Sequence, residues 1–168
     1  MLSPVGELRL VAGENGLRAI LWENDPPSRV PLEEMEEAPD HPVLFETEKQ
    51  LNQYFEGSRK DFSLKLDFHG TDFQKLVWNE LLRIPYGETR SYAEIAIAVG
   101  NTKAMRAVGA ANGKNPISIV APCHRVVGSN GKLTGFAGGL NAKEFLLRLE
   151  SVTKNTDSIL PGQMRLID

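Results

Sequence analysis

The sequence predicts an α+β protein in two parts. A small N-terminal antiparallel-sheet domain spans residues 1–68, a mainly helical C-terminal domain with a helix-turn-helix spans 69–150, and residues 151–168 form a tail. Three observations predict this. Two apolar-rich runs between Glu7 and Trp22 flank a turn containing Asn15-Gly16, a good hairpin signal. The hydrophobic period changes after Phe68 from the alternation of a strand to the spacing of helices. Charge divides at the same place: residues 1–67 carry 7 Lys/Arg against 14 Asp/Glu, and residues 68–150 carry 10 against 6.

Element by element, Glu7–Ala12 and Leu17–Trp22 form the hairpin. Asn24–Pro39, rich in Pro and Glu, is expected to be a mobile loop. Asp40 can cap a helix that begins near Pro42, turns Leu44, Leu51, Tyr54 and Phe55 inward and stops at Gly57. Asp61–Phe68 alternates, with Phe62, Leu64, Leu66 and Phe68 on one face of a strand.

In the second part, Thr71 and Gln74 form a capping box for a helix through Leu82, ended by Ile84-Pro85. Ser91 and Glu94 open a shorter helix with Tyr92, Ile95, Ala96 and Val99. Gly100-Asn101 breaks it, Thr102 can cap the next, and Ala104, Ala107, Val108 and Ala111 line that helix up to Asn112-Gly113. Two short helices joined by a tight turn match a helix-turn-helix. Ile117–Val120 reads as a short buried strand or extended run. Gly128–Gly139, with five glycines, reads as a shaped loop, and a last helix from about Asn141 through Glu150 has Asn141 and Glu144 as its cap pair.

The totals bound the function. A chain of 168 residues suffices for one domain or two small ones sharing an interface. No run approaches a membrane span and Met1–Glu7 lacks the character of a signal peptide, so the expected location is the cytosol, or the nucleoid if the chain binds DNA. The single cysteine excludes an internal disulfide and paired-thiolate zinc sites, and His41, His69 and His124 are dispersed, so no metal is expected. A net charge of −3 hides a mildly basic second part. That excess permits phosphate contact, and uneven solvated surfaces explain it equally well.

The chemistry concentrates at Cys123. A cysteine attacks as thiolate and needs a base or positive charge nearby, and His124 and Arg125 follow it directly. Neighbours on a strand point to opposite faces, so contact requires a turn, which Pro122 can supply. Glu150 on the last helix is the candidate for orienting the imidazole. A small buried thiol beside a hydrogen-bonded core histidine is the commoner arrangement for a bare pair, and at this point both readings stand.

Pro122-Cys123-His124-Arg125-Val126, preceded by Asn115-Pro116 and followed by Gly138-Gly139-Leu140, resembles the active-site signature of the methylated-DNA–protein-cysteine methyltransferases. These are also called O6-alkylguanine-DNA alkyltransferases. The likeness runs through Pro85-Tyr86-Gly87, Ser91-Tyr92, Ala104–Gly109 and Lys143–Leu147, and includes Ser3–Leu8. It implies that Cys123 attacks the alkyl carbon of O6-alkylguanine in double-stranded DNA, irreversibly, once per molecule and without a cofactor. It implies further that His124 takes the thiol proton through a water and that Glu150 holds His124. Asn115 would support the turn, and Tyr92 would donate to guanine N3 so that the base leaves neutral.

The lesion lies in a stacked pair, so the nucleotide must be extruded. The resemblance places the second helix of the motif in the minor groove, with Arg106 filling the gap, and implies that the protein acts as a monomer. Ala104, Ala107 and Gly109 would allow close approach, and Thr102 and Arg125 would add contacts. Position alone favours Tyr92 as a core residue at the start of a helix, whereas for Arg106 the small neighbours Ala104, Ala107 and Gly109 favour the functional role over an ordinary surface arginine.

Two departures stand out. Phe136-Ala137 occupies the substrate-side place where the family often has Tyr-Ser, so two hydroxyls are missing, although the Ala137 amide can still serve. The zinc site of some animal members cannot be built, which points to a bacterial member. Two rival functions remain: a lesion binder without chemistry, against which the cysteine argues, and a cysteine hydrolase using Cys123, His124 and Glu150. Alkyl range, action on O4-methylthymine and cooperativity on DNA stay open.

Overall fold

The computed structural model describes the backbone of residues 1–156 and the side chains of residues 1–151. Among the described residues it is an α+β fold of three two-stranded sheets and five α-helices. Strands β1 (Leu2–Ser3) and β2 (Gly6–Glu7) pair antiparallel, as do β3 (Arg9–Gly13) and β4 (Gly16–Leu21). The β3–β4 hairpin is the predicted one. The small β1–β2 pair ahead of it was not predicted.

Helix α1 (Pro42–Phe55) buries Thr47, Gln50, Leu51 and Tyr54. Its cap is His41, whose side chain accepts from the Val43 amide, and not Asp40 as expected, because Pro42 opens the helix one residue later. The predicted strand at 61–68 is an extended run with a single bridge, Leu66 to Leu17. Its alternation is real, since Phe62, Leu64, Leu66 and Phe68 all pack against the core. Its backbone pairs with the start of β4, through Leu17 N to Lys65 O at 2.9 Å and Asp67 N to Leu17 O at 2.8 Å, and Ser63 is tied to the Gln50 side chain of α1.

Both predicted capping boxes form, Thr71/Gln74 on α2 (Asp72–Leu81) and Ser91/Glu94 on α3 (Tyr92–Ala98). Helix α4 (Met105–Gly113) completes the helix-turn-helix, and its cap is Ala104 rather than Thr102, without a side-chain bond. Within it Val108, Ala111 and Asn112 are buried, whereas Ala107 is exposed and does not line the core. Two further strands, β5 (Arg90–Ser91) and β6 (Val126–Val127), pair parallel and tie the start of α3 to the chain just after Cys123.

Helix α5 (Leu140–Thr156) begins before Asn141, which therefore stands inside the first turn instead of capping it. It continues past Glu150, and the predicted tail beyond Thr156 lies outside the described residues. No helix among the described residues is long and apolar enough to cross a membrane.

Two apolar clusters organise the molecule. The first joins Leu8, Leu17, Ile20, Trp22, Leu51 and Tyr54 to Ile117, Ile119, Val120, Ala142 and Leu146, so it draws on both halves of the chain. The second gathers Val77, Trp78, Leu81, Ile95 and Val108 around Cys123 and Val126. Burial of this apolar surface is the main stabilising term. It also sets Cys123 into a packed wall.

Candidate active site

Cys123 reaches that wall through an unusual turn. Ile117 bridges Ile20 of β4, and Ile119 then adopts φ 74°, the left-handed region that a β-branched side chain resists. Val120 N bonds Ser118 O at 2.9 Å, a γ-turn across Ile119. Pro122 follows with φ −80° and ψ 67°, and Cys123 N bonds Ala121 O at 2.8 Å, an inverse γ-turn. A 3-10 turn over Cys123–Arg125 ends the path. Ile117–Val120 is therefore no full strand: Ile117 and Ser118 make isolated bridges, as an extended run can, and Ile119 and Val120 form the turn.

Asn115 holds this geometry. Its Nδ2 donates to Ala121 O at 2.8 Å and its Oδ1 accepts from Ile117 N at 3.1 Å, both bonds fully buried. The left-handed residue costs about 1–3 kcal/mol, which the surrounding bonds must offset. Asn112, in the last turn of α4, adds a long 3.4 Å bond from Nδ2 to Cys123 O.

The turn brings His124 and Arg125 onto Glu150 of α5. Glu150 Oε2 lies 2.6 Å from His124 Nε2 and accepts from the Tyr54 hydroxyl at 2.6 Å. Arg125 donates from Nε to Oε1 at 2.8 Å and from its second terminal nitrogen to Oε2 at 3.1 Å. Burial alone would raise the Glu150 pKa, but the charge and hydrogen bond of His124 and the hydrogen bond and charge of Arg125 outweigh it and bring it to about 2. An ionised Glu150 can only accept, so His124 carries its proton on Nε2 and presents Nδ1 as a bare lone pair. Nδ1 is fully buried and has no hydrogen-bond partner among the described residues.

Burial lowers the His124 pKa despite Glu150, so at neutral pH the imidazole rests uncharged, and its charge acts on Glu150 only once acid protonates it. Burial also pushes the Cys123 thiol up, against the pull of Asn115, Arg29 and Lys143. Cys123 is 3 % exposed. The arrangement is a protonated thiol followed in the chain by a neutral base whose Nε2 side is clamped by a carboxylate.

Arg125 is not where a DNA contact would be. It is buried, bonded to Glu150 and to Ile84 O at 2.6 Å, with its guanidinium 5.6 Å from the Tyr86 ring centre. A charge here is stable only because Glu150 neutralises it, so the guanidinium has little left to give a phosphate. Ala104 is also buried, which leaves Thr102 exposed in the turn before α4, Arg106 and Ala107 exposed in its first turn and Gly109 half-buried.

The glycine loop folds over Trp22, whose indole nitrogen donates to Ser118 of the turn at 3.1 Å. A Cβ on Gly138 would meet the Trp22 ring at 2.6 Å, and Phe136 packs edge-on to that ring with centres 5.3 Å apart. Ala137 beside it is exposed. Tyr92 Oη lies 2.6 Å from Thr134 Oγ1, and its ring is 3.9 Å from where a Gly109 Cβ would stand. The structure thus gathers Cys123, His124, Glu150 and Asn115 at one turn and places Tyr92 against the loop carrying Phe136 and Ala137. Among the described residues no group of three or more His, Cys, Asp or Glu side chains is placed to hold a metal.

Four residues escaped the sequence reading of the site. Tyr54 looked only like core. Lys143 is fully buried, donating from Nζ to Val126 O at 2.6 Å and lying 5.9 Å from the centre of the Phe136 ring. Thr134 carried no signal beyond its place in the loop. Arg29, in the segment expected to be mobile, is 9 % exposed, pairs with Asp25 at 2.6 Å and donates to Gly113 O and Asn115 O at 3.2 and 2.9 Å.

Comparison with known proteins gives consistent matches. Residues 1–68 match the family described as 6-O-methylguanine DNA methyltransferase, ribonuclease-like domain, and residues 72–152 the one described as 6-O-methylguanine DNA methyltransferase, DNA binding domain. A methylated-DNA–protein-cysteine methyltransferase of Methanosarcina acetivorans is 51 % identical over 149 residues, 88 % of this chain and 94 % of that one. One of Mycobacterium tuberculosis is 48 % identical over 168 residues, 99 % of this chain and 95 % of that one. The crystal structure of Mycobacterium tuberculosis OGT in complex with DNA aligns with a TM-score of 0.82 at 46 % identity, covering 91 % of each chain.

Proposed function

The chain belongs to the methylated-DNA–protein-cysteine methyltransferase family, and from that premise we propose that Cys123 is its alkyl acceptor, His124 its base and Glu150 the residue that holds the base. The activity is direct-reversal repair, the transfer of an alkyl group from O6 of guanine in DNA to a protein cysteine. The observation that carries the assignment is the pairing of His124 Nε2 with Glu150 at 2.6 Å, which leaves Nδ1 as a bare, buried base one residue from the thiol.

The step balances within the chain and its substrate. His124 Nδ1 takes the thiol proton through a water, and the imidazolium that forms is stabilised by ionised Glu150. The sulfur lone pair forms the S–C bond in line as the C–O6 bond breaks, and that electron pair passes into the base. Tyr92 gives its phenolic proton to N3, so guanine departs neutral, and the phenol is reprotonated from solvent. Asn115 keeps the strained turn that aims the sulfur. The thioether product has no leaving group toward water, so each molecule acts once, and no cofactor enters the balance.

The partner is double-stranded DNA carrying O6-alkylguanine, met by a monomer in the cytosol or nucleoid. Exposed Arg106 on α4 fills the stack when the base is extruded, with Thr102, Ala107, Gly109 and the backbone at Ala104 along the groove. Phe136 and the amide of Ala137 border the guanine. The test is a titration with excess O6-methylguanine duplex. Repair should stop when lesions removed equal protein added, whereas repair continuing past that point would support a turnover hydrolase and reject the acceptor role.

A further inference from the structure

We propose that Thr134 is a positioning residue for proton donation by Tyr92: its hydroxyl donates to the phenol oxygen and so directs the phenolic proton to the departing base. The inference rests on the reading of Tyr92 as proton donor.

The two hydroxyls lie 2.6 Å apart, near the short end of the range for O–H···O bonds, and either can be the donor. Each has one proton. When Tyr92 turns its proton toward guanine N3 it cannot also donate to Thr134, so in the reacting complex the donor must be Thr134. A bond donated to the phenol oxygen stabilises the negative charge that gathers there as the proton leaves, and it fixes the rotation of the O–H. No bond to carbon changes at this residue. The proton passes from Tyr92 to the base, and Thr134 keeps its own.

Thr134 is held for this task. Its carbonyl accepts from Lys143 Nζ at 3.5 Å, and the same ammonium donates to Val126 O at 2.6 Å, tying the glycine loop to β6. The loop closes on itself through Gly128 N to Lys132 O at 3.0 Å and Gly131 N to Gly128 O at 2.8 Å. β6 in turn pairs with β5, which runs directly into the cap of α3, where Tyr92 is the first residue. The two hydroxyls therefore meet across a closed circuit of backbone, and both side chains stay half-buried, open to an incoming base.

The test is single-turnover repair of an O6-methylguanine duplex by Thr134→Val, Thr134→Ser, Tyr92→Phe and the double variant Tyr92→Phe/Thr134→Val. Folding is checked by urea unfolding, and binding to undamaged duplex is measured alongside. Thr134→Val should repair about tenfold more slowly with duplex affinity unchanged, the size expected for one lost bond to a developing charge. Thr134→Ser should return to within about threefold of the parent, and the double variant should be no slower than Tyr92→Phe. A Thr134→Val protein as fast as the parent, or one whose slowing multiplies that of Tyr92→Phe, overturns the inference while leaving Tyr92 as donor. A Tyr92→Phe protein of undiminished rate overturns both.

Discussion

Glu150 and His124 meet at 2.6 Å in the interior, and the carboxylate that fixes the imidazole also takes two hydrogen bonds from Arg125 and one from Tyr54. One anion thus neutralises a buried cation and sets the tautomer of the base. Its removal should be felt in both stability and chemistry. Glu150→Gln keeps the shape but leaves Arg125 uncompensated, and urea unfolding should show a loss of about 3 kcal/mol or more. Repair should slow at least tenfold, because neutral Gln stabilises imidazolium poorly. A variant as stable and as fast as the parent would remove Glu150 from the account.

Acid should weaken the fold in two stages. His124 and Glu150 both bind protons more weakly folded than unfolded: burial disfavours the imidazolium, and His124 and Arg125 hold the carboxylate ionised against burial. Their contribution is fully present above the ordinary values of 6.5 and 4.5 and is lost as pH falls, first through the His124 range and then between 4.5 and about 2. The Glu150 share corresponds to about 3 kcal/mol. Unfolding midpoints at about pH 8, 6, 4 and 2.5 should decline in that order, and Glu150→Gln should flatten the decline below about pH 4.5. A midpoint that rises on acidification contradicts the assignment.

Arg106 is exposed on α4, whereas Cys123 is buried. Arg106→Ala should slow repair in duplex DNA at least tenfold while leaving reaction with free O6-benzylguanine near the parent rate, because only the duplex must be opened. Equal slowing of both substrates would reject a role in extrusion.

The turn at Ile119 depends on Asn115. Asn115→Ala removes two buried bonds, leaving the Ile117 amide without its partner and Ala121 O with only the bond from Cys123 N, a loss of about 2–4 kcal/mol. Repair should fall further than stability alone explains, since the thiol is no longer aimed. Gly138→Ala probes the facing loop: its Cβ would stand 2.6 Å from the Trp22 ring, which would have to leave Ser118 and Phe136. A loss of about 1–3 kcal/mol is expected, read from thermal unfolding.

What the sequence made legible was local. The capping boxes at Thr71/Gln74 and Ser91/Glu94 formed because donors and acceptors three residues apart settle them without help from the rest of the chain. Glu150 is a candidate in the sequence because the last helix must return toward the core after the glycine loop, and in the fold it is buried there with Leu146. The run at 61–68 showed its face but not its pairing, since alternation carries no information about the strand opposite. Burial of charge was hidden for the same reason. Arg125 and Arg29 look like solvent residues until Glu150, Asp25 and the carbonyls after α4 are brought to them by tertiary structure. Nor does any pattern announce that Ile119 will accept a left-handed backbone, because only the bonds around it make that state affordable.

Cys123 is the centre of the account, and one measurement addresses it directly. The protein is incubated with a stoichiometric O6-methylguanine duplex, digested and analysed by peptide mass spectrometry. The expected result is one methyl group on the peptide containing Cys123, with guanine restored in equal amount, and neither change with Cys123→Ala. Complete repair with Cys123 unmodified, or a methyl group found on another residue, would contradict it.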